Sequence, residues 1–257
     1  MSNVLGIIAE YNPFHNGHLY QLNSSKSITN SDYSIAIISG NFTQRGDVAI
    51  VDKWTRAQMA LENGIDLVIE LPTVYAVSSA ENFASGAIKI LDSLGIVNFL
   101  SFGSECNDIS ILSQITDVLV DEPSEYKALL SHELDKGVSF PKARERALMM
   151  YLNDVRRFAS VLSSPNNILG IEYLKALKKQ KSLMQPITIQ RKDSKYNDDT
   201  IPTDSQFASA TALRKLCVSH HSDILQRFMP EASYNILNNA IENGNIVKNI
   251  SDFDKLI

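Results

Sequence analysis

Apolar residues along this chain fall in two rhythms. Short runs with few polar interruptions, Val4–Ala9, Tyr33–Ser39, Leu67–Leu71 and Asn98–Phe102, have the length and β-branched content of strands buried on both faces. Between them the spacing turns helical. Gly17–Ser27 is one such segment. Asp52 can N-cap a helix running through Asn63, with Gly64 as its stop. Ser79–Leu94 puts Phe83, Ala87, Ile90, Leu91 and Leu94 on one side, and Gly95 ends it.

A βαβα order of this kind predicts an α/β fold, a parallel sheet covered by helices on both faces. Ligands in such sheets bind beyond the carboxyl ends of the strands. The segments just after the strands, Tyr11–His18, Gly40–Asp47 and Gly103–Glu105, are therefore expected to line one crevice. Beyond Asp108 the pattern is mostly helical: Ile109–Val120, Glu125–Lys136, Pro141–Leu152 and Asn167–Lys179. One more strand, Pro186–Gln190, leads into Arg191. Lys192–Ser205 is polar and reads as a mobile loop. A helix at Ser209–Val218 and further helical sequence follow, and Ser251–Ile257 reads as the start of another element. There is no internal repeat or low-complexity tract.

Composition narrows the class. With 257 residues and 44% hydrophobic content the chain can bury a sizeable core. No apolar stretch is long enough to span a membrane, and the N-terminus enters a strand with no signal-type segment. Cys106 and Cys217, far apart, suit a reducing cytoplasm and exclude a cysteine-built zinc site. The net charge of −5 speaks against a polyanion partner, but its distribution does not. Pro141–Lys195 holds 12 Lys and Arg against 4 Asp and Glu, a local +8, leaving −13 for the remainder. That asymmetry fits either a polyanion-binding face or a set of solvated helix faces.

The most informative segment is VLGIIAEYNPFHNGHLY, residues 4–20. After the strand, Asn12, Pro13 and Asn16 make a turn, and His15 and His18 flank Gly17 where a helix begins. A helix N-terminus attracts phosphate, and two imidazoles there supply neutral or cationic donors to charge developing on it. The plainer alternative is two ordinary helix-start histidines. Zinc is disfavoured, because helical zinc pairs sit four apart and no third ligand is near, so no metal site is assigned. In GNFTQRGDVAIVDKWTRAQMALENGIDLVIELP, Gln44, Arg45 and Asp47 fall on a loop and Lys53 and Arg56 open a helix. These suit a substrate pocket or a phosphate clamp, or else a polar loop and a solvated helix; Arg56 and Glu62 read as surface or structural residues. SSPNNILGIEYLKAL offers Ser164 as a cap and Asn166 and Asn167 at a helix start, where an amide suits adenine or ribose. Arg191 emerges from a strand end in IQRKDS, and FASATALRK places Ser209, Thr211 and Arg214 as an anion cradle or a capped basic helix.

The His-x-Gly-His segment resembles the signature of the nucleotidyltransferase superfamily. AEYNPFHNGH, GNFTQRG, DKWTRAQMAL, DLVIELP, SPNNILGIEYL and SATALR together resemble the bacterial tRNA(Met) cytidine acetate ligase family and spread from Ala9 to Arg214. The resemblance implies a Rossmann-like nucleotidyltransferase domain, expected over residues 1–195 with a helical insertion, and a helical C-terminal segment over 196–257. Members of that family run past residue 257, so the chain is expected to be shortened there, in a part that contributes to tRNA binding. It further implies activation of acetate by ATP to acetyl-adenylate and pyrophosphate, then acetyl transfer to N4 of the wobble cytidine of elongator tRNA(Met), with Mg²⁺ accompanying ATP. The family's ATP-contacting positions map onto Ile7, Ile8, Ala9, Glu10, Tyr11, Asn12, Pro13, Phe14, His15, Asn16, Gly17, His18, Leu19, Tyr20, Gly103, Asn167 and Arg191. On this reading His15 and His18 are catalytic and hold the phosphates with Arg191, Thr211 and Arg214, while adenine lies toward Gly103 and Asn167. Two alternatives stand beside it: an adenylyltransferase acting on a small cofactor precursor, and a nucleotide- or tRNA-binding module without chemistry.

Overall fold

A computed structural model describes residues 2–192, 205–219 and 222–247. Five parallel strands form one sheet in the order β3-β2-β1-β4-β5: β1 (Val4–Ala9), β2 (Tyr33–Ser39), β3 (Leu67–Leu71), β4 (Phe99–Ser104) and β5 (Gln185–Gln190). The first three strands match the predicted bounds. β4 runs further than expected, so Gly103 lies inside the strand, paired with Ile189, rather than just after it.

The helices are α1 (Asn16–Thr29), α2 (Lys53–Glu62), α3 (Thr73–Ala76), α4 (Ala80–Ser93), α5 (Ile109–Asp121), α6 (Ser124–Asp135), α7 (Phe140–Tyr151), α8 (Val155–Ser163), α9 (Pro165–Gln180), α10 (Ala210–Val218), α11 (Ser222–Leu225) and α12 (Glu231–Glu242). Asp52 caps α2 by accepting from Trp54 N and Thr55 N, and Gly64 follows at φ +96°. The periodic reading missed α8, a nine-residue helix opened by Asp154. The polar stretch 193–204 and the C-terminal 248–257 lie outside the described residues.

Strand residues alternate between two apolar layers, as the pleat requires. Val4, Ile8, Ile35, Ile37, Leu100 and Phe102 face α4, α5 and α9. Leu5, Ile7, Ala36 and Ile38 face α2, α10 and α12. Leu213, Leu216 and Leu237 of the C-terminal helices thus share a core with the first two strands. At residue 170 a side chain would collide with the Phe102 ring, a built Cβ lying 2.6 Å from it, so glycine there lets α9 lie close on β4.

Candidate active site

The carboxyl end of β1 turns through Tyr11 into α1, and the two histidines close the helix on themselves. His15 is the N-cap in extended conformation, and its Nδ1 accepts from Gly17 N at 3.0 Å. Three residues on, His18 Nδ1 accepts from the His15 backbone N–H at 3.3 Å. This is a capping box built from two imidazoles in place of the usual Ser or Thr with Glu or Gln. An Nδ1 that accepts carries no proton, so each neutral ring holds its proton on Nε2. The rings stack with centroids 3.8 Å apart, and Tyr11 meets His18 edge-on at 4.9 Å. Burial, then the Arg191 and Arg214 charges, pushes His15 down to about 3. Burial, then His15 and Arg191, takes His18 well below the ordinary imidazole range. Both histidines are therefore neutral Nε2–H donors in the free protein.

They line a cleft of about 270 Å³ at the carboxyl edge of the sheet. All three predicted segments contribute to it: Glu10, Tyr11 and Asn12 after β1, Thr43, Gln44, Arg45 and Asp47 after β2, and Gly103 at the end of β4. Asn166, Arg191, Ser209, Thr211 and Arg214 complete its polar side. The loops are tied to one another. Gln44 donates its backbone N–H to Glu10 Oε1 and its side-chain amide to Ser78 O, both at 2.8 Å. Arg214 donates to Asn12 O at 2.9 Å and to Thr211 Oγ1 at 3.1 Å. Arg191 donates to Asn166 Oδ1 at 3.2 Å, and its stem runs so close to Gly103 that a Cβ there would sit 3.3 Å from Cγ. Ser209 spends its hydroxyl capping α10 through Ala212 N.

Several predicted site residues do not line this cleft. Asn167 is 1% exposed, and its Oδ1 accepts from the Glu105 and Cys106 backbone N–H groups. Its neighbour Asn166 is the one that reaches the cleft. Lys53 is held by Glu70 at 2.5 Å and does not line the cleft. Within the first motif, Ile8, Ala9, Glu10, Tyr11, Asn12, His15 and His18 line the cleft; Ile7, Pro13, Phe14 and Leu19 do not. Ile7, Phe14 and Leu19 pack in or against the core, and Pro13 is buried. Asn16 donates to Gln206 O and Arg227 O, anchoring the C-terminal helices to α1. Gly17 and Tyr20 line a smaller adjoining recess, where the Lys192 ammonium lies 4.2 Å over the Tyr20 ring.

Sequence reasoning also missed contributors. Arg56, read as surface or structural, is fully buried. Its guanidinium donates to Glu10 O, Ser39 O and Gly40 O, fastening the ends of β1 and β2 together beneath the cleft. A structural role stands and a surface one does not. No local signal marks it, because its partners lie at least sixteen residues away. Of Phe83, Phe102, Leu169 and Tyr173, which form an apolar side of the cleft, only Phe83 was read as a periodic apolar position and Phe102 as a strand end, and Leu169 and Tyr173 were not singled out.

The HIGH nucleotidyl transferase profile matches residues 2–257. This chain belongs to that family. Among its relatives, the tRNA(Met) cytidine acetate ligase of Clostridium novyi is 51% identical over 95% of this chain and 61% of that protein. The protein of the same description from Thermoanaerobacter sp. strain X514 is 49% identical over 99% of this chain and 63% of its own length. Thermotoga maritima TmcAL, in a crystal structure without ligand, superposes with a TM-score of 0.91 at 42% identity, covering 95% of this chain and 58% of that one. A second TmcAL crystal form, bound with alpha-thio ATP, gives 0.86 at 41% identity over 95% and 57% of the two chains. The chain thus spans about three-fifths of the length of the curated relatives it matches. Among the described residues no helix is long and apolar enough to cross a membrane.

Proposed function

We propose that this member of the HIGH nucleotidyl transferase family activates acetate with ATP and passes the acetyl group to N4 of the wobble cytidine of elongator tRNA(Met), in the cytoplasm. The observation that carries this reading is the stacked pair of neutral imidazoles, both Nδ1 atoms committed to the helix cap and both rings lining the cleft. Adenylyl transfer needs stabilised charge on departing pyrophosphate and no protein nucleophile. Two pre-oriented Nε2–H donors with Arg191 and Arg214 beside them meet that need. A carboxylate oxygen of acetate attacks the α-phosphorus, the bond to the bridging oxygen breaks, and pyrophosphate leaves. Acetate is ionised at neutral pH, so this step requires no base. N4 then attacks the acyl carbon, AMP departs and the amine loses one proton. The cytosine must be splayed out of the anticodon loop to reach the cleft.

Support for ATP includes the related TmcAL crystal form with alpha-thio ATP. Among the described residues no group of three or more His, Cys, Asp or Glu side chains could hold a metal. Those residues do not fit a bound cofactor metal, and an Mg²⁺ ion belongs to the incoming nucleotide. The basic 141–195 region is the proposed tRNA face, in a narrowed form. Lys142, Arg144, Arg146, Lys175, Lys178 and Lys179 are paired with carboxylates. Arg156 and Arg157 on α8 are exposed and, among the described residues, have no carboxylate partner, while Phe158, Val161 and Leu162 bury the other side of that helix. They offer the unneutralised charge that phosphate contacts require.

Acetate-dependent exchange of labelled pyrophosphate into ATP tests the first step. Exchange that requires acetate supports the reading; exchange that requires a phosphorylated cofactor precursor instead points to a small-molecule adenylyltransferase. Arg156→Ala with Arg157→Ala should leave acetate-dependent exchange unchanged and flatten the salt dependence of tRNA binding. An unchanged salt slope removes α8 from the tRNA face.

A further inference from the structure

The cleft has two unlike sides. Donors gather on one, from α1, α10 and the end of β5. On the other, Ile8 of β1, Phe83 of α4, Phe102 of β4 and Leu169 and Tyr173 of α9 bring the opposite apolar layer to the surface of the cavity. Tyr173 is 3% exposed, its ring 5.7 Å from that of Phe102. Its hydroxyl makes no hydrogen bond to the described residues. An enclosed hydroxyl without a partner is costly. Among the described residues, Ser39 Oγ and Arg56 Nε are the enclosed orphan side-chain atoms, and the Tyr173 oxygen is not one of them. The small area that Tyr173 exposes therefore admits the cleft to its hydroxyl.

We propose that this side is the subsite for a short-chain carboxylate: Phe83, Phe102 and Leu169 enclose the methyl group, and the Tyr173 hydroxyl donates to the carboxylate oxygen that does not attack. The inference rests on the acetate reading above. The oxygen held by Tyr173 becomes the acyl carbonyl oxygen of the adenylate, so the same donor faces the oxyanion that forms when the amine of cytosine adds to that carbonyl. Burial, and after it the Glu10 carboxylate, pushes the Tyr173 phenol above the ordinary tyrosine range, so it remains a protonated donor throughout. Shape does the sorting in this subsite, because a longer acid must be accommodated against Phe83, Phe102 and Leu169.

The test is pyrophosphate exchange with acetate and propionate as alternative acids. Tyr173→Phe keeps the ring and removes only the oxygen. It should raise the KM for acetate about tenfold, the loss expected for a hydrogen bond to a charged group, and leave the KM for ATP unchanged. Leu169→Ala, at a partly exposed position, should shift the propionate-to-acetate ratio of kcat/KM upward about tenfold, the usual worth of one methylene. Wild-type exchange that depends on acetate, with both variants behaving as wild type, overturns this subsite alone. Wild-type protein that binds ATP but shows no acetate-dependent exchange overturns the function and the subsite together. A fall in exchange that moves the KM values for ATP and acetate equally assigns Tyr173 a structural role and also overturns the proposal.

Discussion

Among the helices whose N-termini lie beside the cleft, α1 and α9 are closed in different ways. α1 is capped from within, by imidazoles three residues apart that satisfy Gly17 N and His15 N. α9 is capped from across the chain. Ser164 occupies its N-cap position but turns its hydroxyl to Ser160 O at 2.7 Å and caps nothing there. Glu105, sixty-one residues away, accepts instead from Asn166 N at 3.3 Å, Asn167 N at 2.9 Å and Asn166 Nδ2 at 2.7 Å. Asn167 Oδ1 returns the bonds to Glu105 N and Cys106 N. A helix end closed by a carboxylate already holds its anion. One closed by neutral rings keeps Nε2–H donors for an incoming phosphate. The contrast fits the proposed phosphate role of α1 and gives the start of α9 a scaffolding one.

The largest expected effect tests the α1 half of that contrast. His15→Asn and His18→Gln keep side chains able to cap, and delete the Nε2–H donors. Each should slow acetate-dependent exchange by about 10²- to 10³-fold, as removal of a charge-stabilising donor does. The thermal midpoint should stay near that of wild type. A midpoint that collapses while exchange survives would make the imidazoles structural and erase the distinction between the two helices. Next in size is Glu105→Ala, which strips three acceptor contacts from α9 and should cost about 2–3 kcal/mol in urea unfolding. It should also raise the KM for ATP, because Asn166 and its partner Arg191 lose their footing.

A smaller effect is readable in pH. His15 takes a proton near 3 in the folded protein and near 6.5 in the unfolded chain. The unfolded state therefore binds the proton first on acidification. Stability is full above about pH 6.5 and falls as pH drops toward 3, by up to about 1.4 kcal/mol per unit for this one group. His18, lowered as well, acts in the same direction. Urea midpoints at pH 7.5, 6.0 and 5.0 should show the decline above the range where carboxylates titrate, and His15→Asn should reduce its slope. The smallest expected change is Ser164→Ala. A capping serine would cost about 1 kcal/mol, whereas this one should cost less than about 0.5 kcal/mol because its hydroxyl does not cap α9. A full capping loss there would give α9 a local cap after all.

Much of this was legible beforehand, for reasons that differ by residue. The strands at Val4–Ala9 and Tyr33–Ser39 were readable because strands buried on both faces are nearly continuous apolar runs. Asp52 and Gly64 marked α2 because capping depends on residues within a turn. α8 escaped notice because its apolar side is short and its other side carries Arg156 and Arg157 amid a polar stretch. Asn167 was placed at a nucleotide because an amide suits a base, and nothing nearby reveals that the Glu105 loop uses it. Lys53 was placed in the pocket by proximity to Gln44 and Arg45, and its pairing with Glu70 turns it away.

By itself, the order of residues determined the parallel sheet, most helices and the place of the histidine pair, because each depends on contacts within about four residues or on a repeat of period 2 or 3.6. It also placed the cleft at the strand ends, a consequence of the βαβ order. Tertiary structure decided the chemistry of that cleft. The packing of α4 and α9 on β4 turned Phe83, Leu169 and Tyr173 from core positions into an apolar wall. The approach of Arg191 and Arg214, far along the chain, helps hold the buried histidines neutral. Burial and field are sums over neighbours that only the folded chain assembles, so no local pattern encodes them.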